Sequence, residues 1–332
     1  GTDDTAQTFD GNSNLQPDLL WVKRRTDAVA SHLIIDSTRG VTKYVYTDTA
    51  GAEGTDDNRI LSFDSDGFTL GTNAHTNESG DTYVAWGWKA NGGTRTTNTE
   101  SGDNPAGGYQ ENTTAGFSIV DWTGTGGAGT KTHGLGAVPH AIFVHDRGGN
   151  NHAVYHKGAA SDAETDYLRL DTTAAAVDDA GRWNDTAPTS SVFTLGTNNE
   201  VNGDDRTYVA WVFTPIQGYS KFGTYVGNGN ADGPFVYTGF KPAFVMIKRV
   251  TNAENWAIND NKRTAYNPRA GYLSPDSGNQ ETSAAVQDFC SNGFKIRQTG
   301  SVFNTNTDVY VYAAFAEHPF VSSEGVPCTA GG

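Results

Sequence analysis

Apolar residues in this chain come in short runs set apart by stretches of Gly, Thr, Asn and Asp. Three runs each follow a proline and lead into charged or histidine positions. They are Leu19-Leu20-Trp21-Val22 after Pro17, Ala141-Ile142-Phe143-Val144 after Pro139, and Ala243-Phe244-Val245-Met246-Ile247 after Pro242. Three later runs end in an aromatic residue: Tyr83-Val84-Ala85-Trp86, Tyr208-Val209-Ala210-Trp211 and, more weakly, Tyr312-Ala313-Ala314-Phe315. Before each stands an alternating segment, Gly67-Phe68-Thr69-Leu70, Val192-Phe193-Thr194-Leu195 or Gly293-Phe294-Lys295-Ile296. The interval from Phe to closing Tyr is 15 residues in the first two copies and 18 in the third. From proline to closing Tyr it is 66, 69 and 70 residues. A strand, a polar loop and an aromatic-rich strand predict a hairpin-like unit, and matched anchors at both ends predict an internal repeat.

No apolar stripe with the 3.6-residue helical period is sustained, whereas short strands with frequent turn residues fit β-sandwiches. The expected fold is therefore all-β: three tandem antiparallel β-sandwich or jelly-roll repeats with minimal helix, one helical turn being expected near residues 174–180. The expected boundaries are 1–88, 116–214 and 218–320, with a polar linker at 89–115 and a tail at 321–332. Copies two and three share a lead-in strand, Gly116-Phe117-Ser118 and Gly218-Tyr219-Ser220. The first copy shows none, so that strand is either missing or precedes this sequence. The short join at 214–217 predicts a compact pair of repeats two and three. The long polar segment before them predicts a looser first repeat and preferential proteolysis within 89–115, since closure entropy rises only slowly with length.

Charge narrows the partners. A formal charge of −15 and a pI near 4.8 argue against nucleic acid, whose binders carry basic stripes, and against anionic membrane surfaces. No run approaches the ~20 apolar residues of a membrane-spanning helix. Two cysteines, Cys290 and Cys328, are too few for a disulfide scaffold in a chain of 332 residues. With 7 Trp, 14 Tyr and 16 Phe the chain has the means to build a core, unlike a disordered one.

Candidate chemistry is sparse. Residues 124–129 match G-x-G-x-x-G, but no helix pattern follows, so a hairpin loop is the expected reading. His145, His152 and His156 lie close in sequence without matching histidines in the other copies, which favours surface or interface side chains over a metal site. The pairs Asp56-Asp57, Asp178-Asp179 and Asp204-Asp205 fit solvated turns; calcium would need six to eight oxygens, and no EF-hand spacing occurs. No nucleophile elbow and no paired-carboxylate signature is present. Trp183, in a polar stretch beside Asn184 and Asp185, is the one candidate ligand-binding group, an aromatic platform with hydrogen-bonding neighbours suited to a glycan. A Trp that anchors the loop is the competing reading. No catalytic residue, metal or cofactor is expected.

Several stretches are specific enough to carry a resemblance. They are Tyr83-Val84-Ala85-Trp86-Gly87-Trp88-Lys89-Ala90, Val154-Tyr155-His156-Lys157-Gly158, Trp183-Asn184-Asp185-Thr186-Ala187-Pro188-Thr189, Gly218-Tyr219-Ser220-Lys221-Phe222-Gly223, Gly233-Pro234-Phe235-Val236-Tyr237-Thr238-Gly239-Phe240, Asp260-Asn261-Lys262-Arg263 and Phe315-Ala316-Glu317-His318-Pro319-Phe320. Together they resemble a repeated, concanavalin-A-like β-sandwich family of tailed-bacteriophage virion proteins, over nearly the whole chain. The resemblance implies a non-enzymatic virion protein on the particle surface, in a tail fibre, spike or capsid decoration. It also implies other virion proteins as partners, a homo-oligomer with a trimer first, and a contribution to host attachment. A glycan-binding lectin module is the alternative, and a glycan depolymerase is the least supported reading.

Overall fold

The computed structural model describes residues 1–2, 4–9, 13–26, 29–317, 320–321 and 327–328. Among them the only helices are two single turns, Ala74–Asn77 and Ala180–Trp183. The second begins at the last residue of the segment expected to be helical, because Asp179 accepts from the Gly181 N–H and caps the turn there. Everything else regular is antiparallel strand.

The sheets fall into three sets along the chain. In the first, the order is Gly54–Thr55, Lys43–Tyr46, Leu33–Asp36, Leu19–Arg24, Tyr83–Trp88, facing a sheet of Thr5–Gln7, Gly67–Leu70 and Ile60–Asp64. The second has an eight-stranded sheet. Its order is Val177–Asp178, Asp166–Arg169, Ala153–His156, Ala141–Asp146, Thr207–Phe213, Phe117–Thr123, Gly107–Asn112 and Thr96–Asn98, and Gly129–Thr132 pairs separately with Val192–Leu195. The third pairs Ser220–Val226, Val309–Ala316, Pro242–Arg249 and Ala257–Asp260 in one sheet. The other sheet is Phe235–Tyr237, Gly293–Ile296, Thr282–Cys290 and Arg269–Tyr272. Two segments differ from expectation. Residues 89–115 are not a bare linker, since Thr96–Asn98 and Gly107–Asn112 extend the second set's sheet. In the first set Tyr83–Trp88 forms the edge of its sheet, so no described strand takes the lead-in position.

Register corrects the third copy. Trp21, Phe143 and Met246 lie opposite Trp86, Trp211 and Ala313 respectively. The counterpart of Tyr83 and Tyr208 is thus Tyr310, not Tyr312. Hydroxyl bonding agrees: in each case the phenol accepts an N–H five residues earlier and donates to a carbonyl nine residues earlier. The pairs are Glu78 and Ala74, Gly203 and Asn199, and Thr305 and Ser301. The interval from Phe294 to this Tyr is 16 residues, close to the 15 of the other copies.

The apolar runs are nearly continuous because both faces of each main sheet are buried. Leu20, Val22, Ile142, Val144, Val245 and Ile247 point into their own set's core. The alternate residues Leu19, Trp21, Phe143, Phe244 and Met246 instead join one core shared by all three sets. Rings converge there: Trp88 lies 6.0 Å from Phe213, 5.8 Å from Phe244 and 5.5 Å from Phe315. A gap of about 30 Å³ among these side chains is wholly apolar, and such a gap stays dry. The first set is therefore no loose appendage, and the segment after it is anchored: Ala90 and Gly92 donate to Asp18, and Asn91 and Gly93 to Gln110.

Candidate functional site

The three sets meet in a cycle, and register makes the three junctions comparable position by position. Between the first and second sets, Asp36 accepts from Arg39 Nε (2.7 Å) and from Trp211 Nε1 (3.2 Å). Arg39 also donates to Ile34 O and Glu53, and Glu53 is gripped on both oxygens by Arg147. The Arg39 guanidinium lies 5.7 Å from the Trp211 ring centroid. Against the upward push of burial, Arg147 and Arg39 hold the Glu53 carboxyl below its ordinary range.

The junction of the third set with the first repeats this arrangement residue for residue. Asp260 accepts from Arg263 (2.6 Å) and Trp86 (3.2 Å), Arg263 donates to Ile258 O, and Glu281 binds Arg25. The backbone bond Glu53 N to Arg147 O has its counterpart in Glu281 N to Arg25 O.

The junction of the second set with the third breaks the rule at every side chain. In the five positions held by Asp, Arg, Glu, Arg and Trp stand His156, Ala159, Ala176, Val250 and Ala313. The backbone bond survives as Ala176 N to Val250 O, 3.0 Å. His156 takes the carboxylate's place as a neutral ring. Its Nδ1 accepts from Gly158 N–H and its Nε2 donates to Tyr312 O, and burial lowers its pKa to about 4. Phe222 lies opposite Ala313 where Ile119 lies opposite Trp211, so a larger neighbour offsets the lost indole. The lost arginines and glutamate have no such replacement. A cleft of about 630 Å³ opens there, lined by Ala159, Ala176, Val250 and Val309 with Ser161, Thr224, Thr251, Lys157 and Asp166.

The sequence matches the family described as Domain of unknown function (DUF7483) over residues 1–319. The chain belongs to this family. No curated protein and no solved structure matches it.

In this DUF7483 chain the expected ligand group does not form a platform. Trp183 is 2% exposed, donates Nε1–H to Asp166 O and meets Tyr155 edge-on. Asn184 and Asp185 are left-handed turn residues (φ 49° and 46°) that reverse the chain after the helical turn. The polar neighbours thus make the turn, and the indole fills the core beneath it. Of the two expected placements, surface or interface, His145 and His152 take the second: their rings lie 4.6 Å apart, tilted by 30°, inside the first junction, with His152 Nε2 on Thr49 O. His145 occupies the position of Lys23 and Lys248. Burial, then the neighbouring His152, keeps its pKa well below the ordinary value. His156 lies apart from them, in the odd junction. Among the described residues no group of three or more His, Cys, Asp or Glu is placed to hold a metal ion. Asp56 and Asp179 cap local turns, at Asn58 N–H and Gly181 N–H. Residues 124–129 run into a strand, Gly129–Thr132, not a helix. The sequence pointed to none of the junction sets, although Asp36-x-x-Arg39 and Asp260-x-x-Arg263 share a visible spacing that His156-x-x-Ala159 lacks.

Proposed function

We propose that the chain is a non-enzymatic structural protein displayed on the surface of a tailed-phage particle, in a tail fibre, spike or capsid decoration. The observation that supports this reading best is the closed cycle of three sandwiches around one core, a threefold arrangement within a single chain. Such a body matches the closed symmetry on which assemblies are built, and the sequence resemblance points to the same setting. Its partners on this reading are other virion proteins. On this reading the chain also forms a homo-oligomer, with a trimer first, closed symmetry being the general expectation for such assemblies. Mass spectrometry of purified particles, with imaging of the chain's neighbours in them, tests the proposal. Stoichiometric presence on the outer surface supports it, and absence from intact particles overturns it.

A glycan-binding role is the second reading. Trp183 does not support it, but Phe235 and Tyr237 do: both are exposed on an edge strand, and the Lys221 ammonium lies 5.1 Å from the Tyr237 ring centroid. Binding on an array of host glycans that is lost in Tyr237→Ala would favour it. Release of reducing ends from host polysaccharide would favour a depolymerase over both.

A further inference from the structure

We propose that the cleft at the odd junction receives an arginine side chain, with an acidic neighbour, from an extended peptide segment of a partner protein. The inference deepens the proposed docking on a particle and rests on that reading for where the partner is found.

The cleft exists because side chains are truncated, not because the sets stand apart. Its walls are held by Ala176 N to Val250 O, Glu254 N to Thr173 O (2.8 Å), Lys248 Nζ to Thr173 O (2.9 Å) and Trp256 Nε1 to Arg169 O (2.8 Å). It is therefore preformed, an open cleft of about 630 Å³ rather than an enclosed pocket, which suits one side chain of a longer partner. The two sister junctions show what fills the equivalent space: a flat guanidinium beside a carboxylate, with a second guanidinium beyond it. At the odd junction the chain supplies none of the three. The apolar lining of Ala159, Ala176, Val250 and Val309 suits a weakly hydrated, planar cation better than an ammonium, and the hydroxyl-bearing Ser161, Thr224 and Thr251 are among the other lining residues.

Charge at the lips points the same way. The Asp166 carboxyl is pushed up by burial and by Asp178 and Asp162, partly offset by a bond from Thr165, so a cation placed there relieves it. Lys157, which also lines the cleft, answers an acidic neighbour. The cleft lining contains no aromatic side chain on which a sugar would stack.

The test is a titration of the full chain, followed by nuclear magnetic resonance or calorimetry, with a short Gly/Ser peptide carrying one arginine and one glutamate. Saturable binding is expected, weakened at least about tenfold by Arg to Gln in the peptide and by Asp166→Asn in the protein. The triple variant Ala159→Arg/Ala176→Glu/Val250→Arg rebuilds the sister arrangement and should abolish binding. Should it fail to fold by circular dichroism, Thr224→Trp, which blocks the cleft beside Gly158, replaces it. No saturable binding to the wild type, or undiminished binding in the filled variants, overturns the inference. The titration needs no particle, so its failure is distinguishable from absence of the chain from virions.

Discussion

Replacing Trp211 by Ala makes the junction of the first and second sets resemble the odd one. Trp211 is 2% exposed and contacts side chains of more than one set. Removing a buried Trp costs about 3–5 kcal/mol. Asp36 loses the indole N–H but keeps both the Arg39 backbone and guanidinium donors, so no orphaned charge adds to that figure. The third set indicates a remedy, since Ala313 is accompanied there by Phe222, in the position of Ile119. Ile119→Phe alone should overpack the native core by about 1–3 kcal/mol. Combined with Trp211→Ala, its ring has space, so the double variant should cost at least about 1 kcal/mol less than the sum of the singles. Chemical denaturation of the four proteins, followed by circular dichroism, measures the cycle. A Trp211→Ala cost below about 1 kcal/mol, or additive single costs, would refute the reasoning.

Three further outcomes follow from the same contacts. Asp36→Ala leaves Arg39, 1% exposed at its side chain, with only part of its ionic partners; breaking such a buried pair should cost about 3–5 kcal/mol in a denaturant midpoint series. Tyr310→Phe should cost about 1–2 kcal/mol, as should Tyr83→Phe and Tyr208→Phe, while Tyr312→Phe leaves these bonds intact and costs less; equal costs at 310 and 312 would contradict the register. For pH, burial places His156 at about 4 in the fold against 6.5 unfolded. The unfolded chain therefore binds the proton first. This contribution to stability is present above pH 6.5, lost as pH falls toward 4, and worth about 3 kcal/mol. Burial lowers His32, His145 and His152 as well, with the same sign. Denaturant midpoints should fall across that window, less steeply in His156→Asn, and a constant midpoint would count against it.

Much of the strand pattern was legible because each main strand carries apolar residues on both faces, as in Leu19-Leu20-Trp21-Val22. What covers the second face was not legible, because its partners lie roughly a hundred residues away in other sets. The third closing strand was misregistered for a local reason: Tyr310 and Tyr312 point to the same face, and only the loop bonds of their hydroxyls tell them apart. Residues 89–115 read as linker because edge strands such as Thr96–Asn98 carry polar, exposed side chains. Trp183 was misleading because its neighbours in sequence, Asn184 and Asp185, are turn residues, while its neighbours in space are Tyr155 and the core. The junction chemistry was visible only as fragments of spacing, because Asp36 and Trp211, or Trp86 and Asp260, are joined by the cycle alone.

Scanning calorimetry of the full chain tests the shared core most directly. Sheets built on one apolar centre should unfold in a single transition, with calorimetric and van't Hoff enthalpies in agreement, and Trp86→Ala or Trp211→Ala should lower that one transition as a whole. Two or more resolved transitions, with residues 1–88 melting apart from a fragment 116–320 that survives proteolysis intact, would contradict it.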